Sequence, residues 1–179
     1  MRIINKTEAP LKDTKFKVML ELAGNESGNQ RPGLDLVTVL DVSGSMRGKK
    51  LKEMKIALQL MIKKLSPIDR LSVVTFSSDS KSLCPLCHIN ENSRVGIANL
   101  VKNLEAQDQG PGDISAGLEI GLKVLNERMY TSGRVVAIML LSGGRQNPKS
   151  PNATEVEVGN VPIYTFDLGT NPKVCRNKP

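Results

Sequence analysis

Leu34–Met46 reads LDLVTVLDVSGSM, and the fold turns on this stretch. Leu36 to Leu40 is an apolar run rich in β-branched residues. That composition suits a strand buried on both faces of a parallel sheet. The run stops at Asp41, and Ser43 and Ser45 follow at i+2 and i+4. Three oxygen-bearing side chains therefore gather where a strand's carboxyl end turns towards a helix. Open α/β sheets bind ligands at that edge. Carboxylate and hydroxyl oxygens are hard donors, suited to Mg²⁺ or to Mn²⁺ or Ca²⁺.

Downstream, Leu51, Met54, Leu58, Met61, Ile62 and Leu65 recur at spacings of three and four. This predicts a helix with an inward apolar stripe, Lys and Glu on its other face, and a stop at Ser66-Pro67. Its N-terminus is expected beside Ser43 and Ser45. Arg70–Phe76 reads as a second strand, and Leu83–Ile89 as a short edge strand. Ser93–Leu104 reads as a helix whose apolar face is Val95, Ile97, Leu100, Val101 and Leu104. Ile114–Arg128 is another helix, Arg134–Leu141 another buried strand, and Val161–Leu168 the last strand. Upstream, residues 1–14 read as a polar tail and Phe16–Leu22 as an edge strand. This alternation predicts a doubly wound α/β fold: a mostly parallel, twisted sheet with helices on both faces. Residues 1–33 would be a tail and edge strand, and residues 34–179 the domain.

Length and composition agree. A chain of 179 residues with 39% hydrophobic and 24% charged residues fits one soluble domain with a real core. With no Trp and 3% aromatics, that core rests on Leu, Ile, Val and Met. Neither a secretory signal nor an apolar run long enough for a bilayer is present, so a cytoplasmic protein without membrane attachment is expected. The net charge of +7, from 25 basic and 18 acidic residues, is scattered and not interleaved with aromatics. Nucleic-acid binding is not expected from it.

The DxSxS pattern at Asp41, Ser43 and Ser45 resembles the metal-ion-dependent adhesion site of von Willebrand factor type A (vWA) domains. The resemblance extends to LSPIDRLSVVTFS (Leu65–Ser77), ISAGLEIGLKVL (Ile114–Leu125) and RVVAIMLLSGG (Arg134–Gly144). These segments are especially similar to plant RING–vWA ubiquitin ligases. The RING cysteines are not in this chain, so ligase chemistry is not carried over, and the resemblance implies a non-enzymatic module that binds a protein partner. In the family, two further loops supply a Thr and an Asp. Gly112 stands at the Thr position, in QGPGDI, and Gly143 at the Asp position, in SGG. Asp113 is one position displaced, and Arg145 adds positive charge. The resemblance thus implies an incomplete site with weak or lost metal binding. The bland alternative is that Asp41 and the serines serve as turn and helix-capping groups. Arg47, Asp79, Asp113, Arg145 and Gln146 lie in loops expected at the binding face. The family also continues beyond VPIYTF with a strand and a helix, which this sequence is expected to lack.

Cys84-Pro85-Leu86-Cys87-His88 matches the C-x-x-C-H haem-attachment pattern, but a strand is the wrong setting. A zinc site from Cys84, Cys87, His88 and Cys175 has suitable ligand types but no second paired motif. A redox CxxC wants a helix N-terminus. The bland reading is three semi-buried thiols. LSGGRQ follows a strand but lacks either phosphate-loop pattern.

Overall fold

The computed structural model describes residues 31–107, 112–143 and 156–168. Strand β1 (Gly33–Asp41) leads through a 3₁₀ turn (Gly44–Met46) into helix α1 (Lys49–Lys64). Then come β2 (Arg70–Phe76), β3 (Ser80–His88), α2 (Glu91–Lys102), α3 (Ile114–Asn126), β4 (Arg134–Ser142) and β5 (Ile163–Asp167). The sheet order is β3-β2-β1-β4-β5. All neighbours are parallel except β2 and β3. The expected strand Phe16–Leu22 lies outside the described residues.

β1 is central because its side chains alternate between two apolar layers. Leu36 and Leu40 face one layer with Met54, Leu58 and Ile62 of α1 and Ile97 and Val101 of α2. Val37 and Val39 face the other with Leu118, Leu122 and Leu125 of α3. Helices therefore cover both faces, as the continuous apolar run required. α3 approaches closely at Gly117, where a Cβ would stand 2.9 Å from Phe76 Cδ1 and 3.0 Å from Val39 Cγ1. A smaller distance between helix and strand is possible only without a side chain there.

Several details differ from the sequence expectation. β3 begins at Ser80, because Ser80-Lys81-Ser82 pairs with β2 although it buries little. Two register shifts put extra β3 residues opposite β2, so Cys84 lies across from Val73 and Cys87 across from Leu71. α1 starts only after Gly48, whose φ of 77° lies in the left-handed region that favours glycine. Ser43 precedes the 3₁₀ turn and Ser45 lies inside it, so neither serine caps α1, whose N-cap is Gly48. On α2, Val95 is 61% exposed rather than part of the apolar face. Pairing on only one edge, and a helix with two solvent-facing sides, both weaken the periodicity on which sequence reading depends.

At the amino end of the sheet, Asp35 is fully buried among three arginines. Arg70 donates from Nε to Oδ1 at 2.7 Å and from Nη2 to Oδ2 at 2.6 Å. Arg134 donates from Nε to Oδ1 at 2.7 Å, and Arg128 Nε stands 3.5 Å from Oδ2. The guanidiniums continue outward to backbone: Arg70 to the Met129 carbonyl at 2.8 Å, Arg134 to that of Ile68 at 2.9 Å. Burial by itself pushes the Asp35 carboxyl up. The Arg70 and Arg134 hydrogen bonds more than offset it and hold the carboxyl below its ordinary value.

Candidate functional site

The opposite end of the sheet gathers the residues marked by the DxSxS pattern. β1 delivers Asp41 there because the apolar run ends inside the sheet, leaving the carboxylate fully buried. Its Oδ1 accepts from the Ser43 backbone N–H at 2.9 Å. Its Oδ2 accepts from Ser142 Oγ at 3.0 Å and from the Gly143 N–H at 3.2 Å. One carboxylate thus ties the first loop to the end of β4. The hydroxyls of Ser43 and Ser45 are 3.0 Å apart and bond to each other.

The other two loops converge on the same carboxylate, as the resemblance implied. A Cβ on Gly112 would lie 3.4 Å from Asp41 Oδ1, but 2.9 Å from Phe76 Cε2. A Cβ on Gly143 would lie 3.4 Å from Ser45 Oγ and 2.8 Å from Met46 Sδ. Both glycine positions therefore lie against the Asp41–Met46 segment, with Phe76 and Met46 standing where a side chain would project. Lys50 reaches into that space, its Nζ donating to the Gly143 carbonyl at 3.2 Å. This residue escaped the sequence reading. Its only signal there was a second lysine after Gly48.

Asp113 does not compensate for the lost ligands. It is the N-cap of α3, and its side chain accepts from the Ala116 N–H at 3.1 Å. Its own N–H bonds the Ser77 carbonyl at 2.8 Å. Asp79 sits beside Ser77, whose Oγ is 3.2 Å from Asp79 Oδ1 and donates to Gln107 Oε1 at 2.6 Å. Gln107 in turn donates its N–H to the Val42 carbonyl at 2.7 Å. Ser77 and Gln107 thus belong to this face, although the sequence did not single them out. Arg47 is exposed at the end of the 3₁₀ turn. Arg145 and Gln146 lie outside the described residues.

The oxygen donors around Asp41 are its own carboxylate and the hydroxyls of Ser43, Ser45 and Ser142. Among the described residues, no group of three or more His, Cys, Asp or Glu is placed to hold a metal ion. N–H and O–H groups take three of the roughly four lone-pair directions of Asp41's oxygens, so a cation there would compete with them. Among the described residues, this donor set lacks the ligand charge and count of an octahedral Mg²⁺ site.

The cysteines belong to the core edge. Cys84 packs in the layer under α1 and α2, with Cys87 against it. Burial pushes the Cys84 thiol up to about 11, and the Cys87 thiol up as well. Neither environment favours the thiolate that metal or haem chemistry needs. Cys175 lies outside the described residues.

Comparison with known proteins agrees with this geometry. The chain is 36% identical over 162 residues to the E3 ubiquitin-protein ligase WAV3 of Arabidopsis thaliana, covering 84% of this chain and 22% of that protein. It is 35% identical over 151 residues to the E3 ubiquitin-protein ligase WAVH1 of the same plant, covering 78% and 21%. The chain thus spans about a fifth of the length of these relatives. Among solved structures, BatB from Bacteroides thetaiotaomicron superposes with a TM-score of 0.61 at 14% identity, covering 75% of this chain and 66% of that one. The vWF domain of the pilus tip protein Mfa5 from Porphyromonas gingivalis gives 0.56 at 17%, covering 70% and 44%. The profile of the von Willebrand factor type A domain matches residues 35–173, and the chain belongs to that family of interaction domains.

Proposed function

We propose that this chain is a non-enzymatic protein-interaction domain that binds its partner at the carboxyl end of β1, β2 and β4, with weak or lost metal dependence. The observation that carries the reading is how Asp41 is engaged: three protein N–H and O–H donors already bond its two oxygens. Among the described residues, Arg47, Asp79 and Asp113 are the candidates to contact the partner by charge and hydrogen bonding. Calorimetric titration with Mg²⁺ and with Mn²⁺ tests it. The expected result is no saturable binding tighter than about 1 mM, since a single carboxylate leaves too little ligand charge. Tighter binding that disappears in Asp41→Ala would overturn the reading.

A second reading is favoured by the plant relatives, two of them ubiquitin ligases at 35% and 36% identity. The chain would recruit a substrate or adaptor within such a system without ligase chemistry of its own. Added in excess to a reaction run by WAV3, it is then expected to slow modification of a bound substrate while leaving autoubiquitylation unchanged. Equal slowing of both, or of neither, would sink this reading.

A further inference from the structure

α1 carries a second apolar surface that its role in the core does not use. Met54, Leu58 and Ile62 face the sheet and are buried. Ile56 and Leu60 are 59% and 57% exposed. At 3.6 residues per turn the two lie opposite the buried stripe. Lys49, Glu53, Ile56, Leu60 and Lys63 follow one another at alternating steps of four and three. That spacing is the seam along which a second helix packs. The surroundings are basic: of the six Lys of α1, Lys50 and Lys55 bond the Gly143 and Lys102 carbonyls, while Lys49, Lys52, Lys63 and Lys64 are exposed, and the helix holds a single Glu. Glu53 is itself paired with Lys49, at 3.7 Å.

We infer that the outer face of α1 is a docking surface for a helix of a protein partner, with an apolar seam and acidic flanks. Ile56 and Leu60 form the centre of the contact, and the lysines around them select acidic flanks by charge complementarity. A second copy of α1 is disfavoured, because like charges would meet along the whole seam. A membrane is disfavoured because the surface offers two aliphatic side chains and no aromatic anchor. This surface is separate from the Asp41 end of the sheet, so the inference does not depend on the function proposed above.

The test uses the full chain and a fluorescent synthetic helix of three heptads, with Leu at a and d and Glu at e and g. Anisotropy is expected to show saturable binding that weakens with added salt. Ile56→Gln/Leu60→Gln is expected to weaken it about tenfold or more, as central anchors do. Lys52→Gln/Lys63→Gln is expected to remove most of the salt dependence. Both pairs are solvent-facing, and circular dichroism checks that the fold is retained. The same peptide with Lys at e and g is expected not to bind. No saturable binding, equal binding by the Ile56→Gln/Leu60→Gln variant, or equal binding of the lysine peptide would each overturn the inference. So would stronger capture by phosphatidylcholine–phosphatidylserine vesicles, or concentration-dependent dimers abolished by the same variant.

Discussion

Asp35→Ala is expected to destabilise the domain by about 3–5 kcal/mol, the range for removing one partner from a buried ionic cluster. The reason is what stays behind. Arg70 and Arg134, whose side chains are 7% and 14% exposed, would face each other across an empty site, with Arg128 close by. Their outward bonds to the Met129 and Ile68 carbonyls prevent them from simply swinging into water. Urea denaturation of wild type and variant measures the difference, and a loss below about 1 kcal/mol would contradict a shared dependence on this carboxylate. The pH dependence has a defined sign. The Asp35 carboxyl is held below its ordinary value in the folded state. Its contribution is therefore complete above the unfolded value of about 4 and is lost as pH falls through the folded one. The stability gap between wild type and Asp35→Asn is expected to narrow below about pH 4 for that reason.

Asp41→Ala is expected to cost about 2–4 kcal/mol, because three buried donors lose their acceptor at once. The Ser43 N–H, the Ser142 hydroxyl and the Gly143 N–H all point at this side chain. Asp41→Asn is expected to recover only part of the loss. Its amide NH₂ must face either Ser43 or the Ser142–Gly143 pair, setting donor against donor. Thermal denaturation with Mg²⁺ and with a chelator separates structure from metal binding. The same loss is expected in both. A loss confined to the Mg²⁺ sample would make Asp41 a metal ligand instead.

The strands of the interior were readable because β1 and β4 carry long apolar runs, a pattern that burial on both faces imposes, and β2 is rich in β-branched residues. The Asp41 end was readable for another reason: its residues sit in short, distinctive segments next to those runs. That Gly143 would donate its N–H to Asp41 was not readable, since a backbone donor leaves no mark on residue identity. The Asp35 cluster was missed for want of proximity. Its partners lie 35 and 99 residues away in the chain. One signal was there, a single carboxylate inside the apolar run LDLVTV. The outer face of α1 was misread because two apolar side chains at its centre were taken into the general count of lysine and glutamate. Exposure, which only the folded chain defines, separates Ile56 and Leu60 from Met54 and Leu58.

The irregular pairing of β3 bears on how this chain behaves when crowded. Of the two outer strands among the described residues, β3 is interrupted twice by extra residues and carries Pro85, which has no N–H to offer. Lys81 adds charge on the same strand. A neighbouring molecule cannot extend the sheet there by continuous strand addition. β5 has no such interruption in its pairing with β4, and it presents Tyr164 and Phe166, 51% and 43% exposed. Among the described residues, β3 is therefore the outer strand built to resist strand addition, and β5 carries no such device.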